Sequence, residues 1–151
     1  MEEEQFMIVS IGNEPYGIKI NDIKEVVPNS ETANVPDKES IYICGVMECR
    51  YGCVSVFDIY RLFDINSFSI NRMMIILAFN KRFLAFSTEQ VDGVVNVSHE
   101  KIYDIPSMLN NASRRYMKEI IALDNHLVPI IDTARLFEKA GVLEETELIL
   151  Q

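Results

Sequence analysis

The sequence is short of the residues that build chemical centres. Its 151 positions hold two histidines, three cysteines and six glycines. His99 and His126 lie far apart, and no Gly-x-Ser-x-Gly elbow is present, so neither histidine has the setting of a nucleophile's base. His126 follows Asp124-Asn125 and reads as part of a hairpin tip. The glycines are scattered through turns instead of gathering ahead of a helix, so there is no phosphate-cradling loop and nucleotide hydrolysis is unsupported. Cys44, Cys49 and Cys53 crowd together but form no Cys-x-x-Cys pair, and strict strand alternation puts Cys44 and Cys49 on opposite faces. An odd number of cysteines, with no secretion signal, reads as reduced thiols and not as a disulfide framework or a zinc site.

Basic charge is also scarce. The 14 Lys and Arg residues are outnumbered by 23 Asp and Glu, giving a net charge of −9. Such a surface repels phosphate backbones and anionic headgroups, which argues against nucleic acid as a partner. The longest apolar run, Met73 to Phe79, is far short of the roughly 20 residues a membrane helix needs. The acidic start, Glu2 to Glu4, is the opposite of a signal peptide's basic beginning, so a cytoplasmic protein without direct membrane insertion is expected. Carboxylate runs such as Glu144-Glu145 read as solvated faces. No catalytic residue, metal or cofactor emerges, and a binding module is the more natural reading than an enzyme.

What is present is a succession of short strands in a chain of single-domain length. Phe6 to Ile11 and Tyr16 to Ile20 flank the turn cluster Gly12-Asn13-Glu14-Pro15, and Met73 to Phe79 and Phe83 to Phe86 flank Asn80-Lys81-Arg82. Val54 to Phe57 and Leu127 to Ile131 supply further strands. Helical spacing is confined to short pieces after Asp58 and Asp132, each placed as an N-cap.

The pattern repeats. VSVFDIYRLF, residues 54–63, aligns with VPIIDTARLF, residues 128–137, at a constant offset of 74, from Val54 to Val128. FMIVSIGNEPYGI aligns with MMIILAFNKRFLA at an offset of 67, from Phe6 to Met73. IKEVV (Ile23 to Val27) matches VDGVV (Val91 to Val95) once one residue is inserted. A hairpin, an apolar-x-x-Val-Val strand, a second hairpin and an Asp-x-x-Arg-Leu-Phe helical turn thus occur twice in one order. Two similar small β units follow, each too small to bury a core alone.

These residues resemble the bacterial chemotaxis coupling proteins of the CheW family. EPYGIKINDIKEVV (14–27) is similar to the family's E-x-Y-G-I-x-I-x-x-V-x-E-I pattern, and NVPDKESIYICGVMECR (34–50) to its stretch ending in I-x-G-V-x-N-L-R. VSVFDIYRLF resembles V-P-V-I-D-L-x-x-x-F, and VDGVVNVSHEKI resembles V-D-x-V-x-x-V-x-x-x-x-I. The resemblance implies a mainly β fold of two interlocked five-stranded SH3-like barrel subdomains with short helices. On that basis residues 1–151 form one CheW-like domain, with intertwined units near 5–65 and 73–140 and a C-terminal tail at 141–151. It implies a non-catalytic adaptor with two partners, the cytoplasmic tip of a methyl-accepting chemoreceptor and the regulatory domain of a CheA-type histidine kinase. Carried over by position, partner contacts fall on Ile23, Glu25, Val26, Gly45, Arg50 and Val94. The chain departs from the pattern where the family reads N-L-R-G and then V-P: here stand Glu48, Cys49, Arg50 and Tyr51, with Gly52 one position late and Ser55 in place of proline. That departure leaves open a divergent scaffold of another two-component system. The residues also leave open a small β-barrel ligand-binding protein or enzyme with a site between the halves, which would need an enclosed pocket of convergent polar groups.

Overall fold

Two-residue turns with both central residues at positive φ fold the chain into hairpins. In the structure, a computed structural model describing residues 2–28, 42–66, 70–105 and 114–140, these turns are Gly12-Asn13, Asn80-Lys81 and Asp124-Asn125. The C-terminal stretch 141–151 and the first part of the 34–50 segment lie outside the described residues. In chain order the strands are β1 (Glu3–Ile11), β2 (Glu14–Lys19), β3 (Ile23–Pro28), β4 (Ile43–Cys49) and β5 (Gly52–Phe57). After helix α1 (Ile59–Leu62) come β6 (Met73–Phe79), β7 (Arg82–Thr88), β8 (Gln90–Ser98), β9 (Ile102–Asp104), β10 (Met117–Leu123) and β11 (His126–Ile131), then helix α2 (Thr133–Ala140).

The strands make two sheets, and each sheet draws on both halves of the sequence. One has the order β3-β6-β7-β5-β4; the other is β8-β1-β2-β11-β10, extended by β9 as a sixth strand. Hairpin β1–β2 therefore belongs with the late strands, and hairpin β6–β7 with the early ones. In both sheets the joint is a short parallel pairing: Ile130 with Gly17 in one, Val56 with Ala85 in the other. Small residues at the joint let the strands and their side chains approach; a Cβ on Gly17 would meet Ile130 Cδ1 at 2.4 Å.

The pairing registers correct the alignment of the repeat. Ile23 pairs with Leu77 and Glu25 with Ile76, while Val91 pairs with Val9 and Gly93 with Ile8. The relation from β3 to β8 and from β1 to β6 is thus 68 (Ile23 to Val91, Val9 to Leu77), not 67, and the inserted residue disappears. Both strands carry a bulge at the matching place, Lys24 and Asp92 being skipped in the pairing. The offset of 74 holds for the rest: Ile43 with Phe57 and Gly45 with Val56 repeat as Met117 with Ile131 and Glu119 with Ile130. This second bulge places Cys44 out of register. Alternation is broken there, so Cys44 and Cys49 pack against one apolar cluster and not on opposite faces.

Burial follows the same symmetry. Inside the six-stranded barrel, Phe6, Ile8, Ile121, Val128 and Ile130 form a small core; their counterparts Met74, Ile76, Met47, Val54 and Val56 fill the other barrel. A larger cluster lies between the barrels. It combines Val9, Ile11 and Ile18 with Phe57, Leu62, Phe63, Ile75, Leu77, Phe86, Ile131, Leu136 and Phe137. Such contacts can form only after both halves have come together, which makes cooperative folding the expectation.

Helices α1 and α2 sit on equivalent supports. Asp58 N donates to Tyr42 O and Asp132 N to Tyr116 O, each at 2.7 Å. The Asp58 carboxylate accepts from Arg61 N at 3.1 Å and the Asp132 carboxylate from Arg135 N at 3.4 Å, so both are N-caps as the sequence indicates. A buried glutamate fixes the exchanged hairpin. Glu89, between β7 and β8, accepts from the amides of Gly12 and of Asn13, the latter at 3.0 Å, and lies 2.7 Å from the Tyr60 hydroxyl on α1. Burial, followed by the hydrogen bond to Glu89 and its negative charge, raises the Tyr60 pKa well above 10.0.

Two outcomes follow from these contacts. Asp58→Ala and Asp132→Ala should each destabilise by about 0.5–2 kcal/mol in urea denaturation; one neutral and one severe loss would break the equivalence of the two elements. Because Tyr60 binds its proton more tightly folded than unfolded, its contribution is complete below pH 10.0 and falls as pH rises beyond it. Wild type should therefore lose Tm above that pH more steeply than Tyr60→Phe, and parallel curves would remove Tyr60 as the cause.

Candidate functional site

Residues brought together at the β3 edge come from two distant parts of the chain. Glu25 lies just past the bulge in β3, and Arg50 in the β4–β5 turn; their side chains meet, Nη2 to Oε1, at 3.1 Å. Arg50 is 72% exposed and Glu25 only 21%, so the arginine lies over the better-buried carboxylate and leaves most of its guanidinium in solvent. The bulge residue beside them, Lys24, places its ammonium 5.3 Å from the centre of the Tyr51 ring. Tyr51 in turn stacks on Phe83 with centroids 5.1 Å apart. Gly52 follows with φ of 103°, a conformation that an L side chain rarely adopts, which accounts for the glycine one position late.

The other carried-over positions are dispersed. Ile23 and Val26 are half-buried and pack against the central cluster, so each offers only part of its surface. Gly45 is buried in β4 opposite Val56, where it supports the hairpin without a side chain to present. Val94, the counterpart of Val26 on β8, is 51% exposed. The structure thus assembles Glu25 and Arg50 and leaves Val94 as a separate apolar point on the other sheet. The family pattern names Arg50 and Glu25 separately and does not reveal their pairing, because residues so far apart in sequence are brought together only by the tertiary fold. Lys24, Tyr51 and Phe83 were missed for the same reason, although a tyrosine in the place of a turn glycine was visible in the sequence.

A cavity of about 430 Å³ opens between Glu14, Tyr16, Arg114, His126, Leu127 and Pro129. Its strand-borne walls belong to one sheet, with β2 from the first half of the sequence and β10 and β11 from the second, so the cavity lies within one barrel while drawing on both halves. Burial and then the nearby Glu14 charge raise the Tyr16 pKa at its edge. No helix among the described residues is long and apolar enough to cross a membrane.

A family model, that of the CheW-like domain, matches residues 5–141. The chain belongs to the CheW-like domain family. It is 27% identical over 138 residues to the chemotaxis protein CheW of Klebsiella aerogenes, covering 88% of this chain and 81% of that protein. It is 21% identical over 145 residues to the chemotaxis protein CheW of Treponema pallidum, covering 91% and 85%. Among solved structures, the scaffolding protein TtCheW from Thermoanaerobacter tengcongensis superposes with a TM-score of 0.82 at 22% identity, over 91% of this chain and 94% of that one. The mainly β fold of this chain is therefore that of the CheW-like domain family.

An ion pair with one partner mostly in solvent is screened and contributes little to stability. A double-mutant cycle of Glu25→Gln and Arg50→Ala should give a coupling of about 0–1 kcal/mol that shrinks with added salt. A salt-insensitive coupling well above that range would make the pair a structural clamp and not part of a working surface.

Proposed function

We propose that the protein is a non-catalytic adaptor, coupling the cytoplasmic tips of methyl-accepting chemoreceptors to the regulatory domain of a CheA-type histidine kinase in receptor arrays. The observation that carries this reading is the CheW-like match running through both barrels, residues 5–141. In this reading the protein stays in the cytoplasm and reaches the membrane only through its partners.

The geometry suits such work. Strands β3 and β8 end their respective sheets, and terminal strands offer main-chain groups and alternate side chains to a partner. Around β3, Ile23, Glu25, Val26 and Arg50 combine a partly apolar strip with a charge pair. Arg50 brings a planar fork of donors able to grip carboxylate or carbonyl groups on a receptor helix. Val94 supplies an apolar contact on the second barrel, so one rigid body holds two surfaces. The central core shared by the barrels keeps their mutual orientation fixed, which is what transmission between two partners requires. Gly45 acts in this account through the hairpin it supports. A second reading, a scaffold for another two-component system, is favoured by Tyr51, which changes the turn next to Arg50.

Val94 separates partner binding from folding better than Ile23 or Val26, because its side chain is already in water. Val94→Asp should leave Tm nearly unchanged, as exposed substitutions typically stay within about 0.5 kcal/mol. Captured from lysate, wild type should bring down both a chemoreceptor and a CheA-type kinase, and the folded Val94→Asp protein should lose at least one of them. Capture of neither by wild type would end the adaptor reading.

A further inference from the structure

The two barrels carry a cleft at the same place, and the internal repeat allows their linings to be compared side by side. In the five-stranded barrel, a cleft of about 260 Å³ is lined by Tyr51, Cys53, Ser55, Lys81, Arg82 and Phe83. Its counterpart in the six-stranded barrel is the larger cavity. There Glu14 stands for Arg82, Pro15 for Phe83, Leu127 for Cys53 and Pro129 for Ser55, at the same offsets of 68 and 74 that relate the strands. At this scaffold position the five-stranded barrel carries Arg82 and the ring of Phe83 where the six-stranded barrel has Glu14 and Pro15, with Tyr16, Arg114 and His126 also lining the larger cavity. The positive character belongs to these residues and not to the fold.

Three observations sharpen the contrast. Tyr51 and Phe83 form one wall as stacked rings, with an interplanar angle of 18°. Three cations from two places in the chain lie around it: Lys24 over the Tyr51 ring from β3, and the adjacent Lys81 and Arg82 at the β6–β7 turn, in a protein of net charge −9. Lys81 also occupies the left-handed region at φ 65°, where the equivalent turn places Asn13 at 64°. Asparagine tolerates that conformation better than lysine, so the lysine is held at a conformational cost that the fold does not require.

The geometry points to this cleft as a docking site for a carboxylate-bearing segment of a protein partner, with its carboxylates on Lys81 and Arg82 beside the Tyr51–Phe83 stack. Local charge complementarity against an otherwise acidic surface selects an acidic segment. A concave site with ring walls suits a side chain better than a planar bilayer, and the net negative charge opposes approach to anionic lipid. The inference deepens the adaptor reading by giving the chemistry of one partner surface.

The test uses the purified full chain and a fluorescein-labelled amphipathic helical peptide carrying leucine at i, i+3, i+4 and i+7 with glutamate elsewhere. A second peptide has glutamine for each glutamate. Fluorescence anisotropy at low salt should show binding of the glutamate peptide that weakens about tenfold or more in the double variant Lys81→Glu/Arg82→Glu and with rising salt. Amide NMR shifts on titration should centre on Tyr51, Cys53 and Arg82. Lys81→Gly should raise Tm by relieving the turn while weakening the peptide, opposite signs that a purely structural lysine would not produce. Equal affinity for the glutamine peptide, unchanged binding by the double variant, co-sedimentation with equimolar phosphatidylserine–phosphatidylcholine vesicles in place of peptide binding, or a charge-dependent self-association on size-exclusion chromatography would each overturn the proposal. Since no receptor or kinase enters this assay, failure to capture them from lysate would sink the adaptor reading and leave this measurement standing.

Discussion

Exchange of hairpins between the two halves is the constraint on which the rest of the molecule depends. A strand pair such as β1–β2 has satisfied only its own facing hydrogen bonds, and its outer edges must find neighbours. Here they find β8 and β11, while β6–β7 finds β3 and β5. Each barrel is closed by a piece of chain that the other half supplies, so neither is a separable unit. The parallel joints are short, one or two residue pairs each, and they rely on Gly17 and Ala85 being small enough for Ile130 and Val56 to lie against them. The exchange also creates the central cluster, because the backs of both hairpins and both helices are turned towards one another.

Repetition with divergence then supplies the functional surface. Registers, bulges, N-caps and barrel cores match across the two halves, so the backbone offers the same positions twice. What differs is outside the cores: Glu25 against Gly93, Val26 against the more exposed Val94, and Arg82 and Phe83 in one cleft against Glu14 and Pro15 in the other. A scaffold protein needs this combination, since a rigid body with two unlike faces can hold two unlike partners in a fixed relation. Packing has little tolerance for change, whereas turn and edge residues alter at small cost to stability. Tyr51 illustrates the point. It replaces a small turn residue, moves the required glycine to position 52, and gains a stacking partner in Phe83 and a cation in Lys24 without disturbing the cores.

The polar network around Glu89 shows how a buried charge is kept in such a fold. Its carboxylate accepts from two turn amides and lies next to the Tyr60 hydroxyl, so the cost of burial is offset by directed hydrogen bonds. Those bonds tie the exchanged hairpin to α1 and to the start of β8. In the other half the corresponding connection is made by Thr133, whose hydroxyl donates to Asp22 at 2.9 Å. Both links join a helix start to the chain between a hairpin and its following strand, with different residues in equivalent roles.

Alternation of apolar residues, turn pairs and Asp N-caps are local signals, and they sufficed to locate the main hairpins, both helices and the duplication. Periodicity on a strand reports which residues share a face, and the order of repeated segments reports that two units exist. The family pattern added the two-barrel fold and a set of positions. Tertiary structure alone decided the one-residue correction of the repeat, because a bulge adds a residue without any mark in the hydropathy pattern, and only the pairing partner shows where the ladder skips. It alone decided that Cys44 and Cys49 pack against one cluster, that Arg50 pairs with Glu25, and that Tyr51 stacks on Phe83. Each of these depends on which edges meet when the barrels close, a long-range choice set by the shared core and not by any local run of residues.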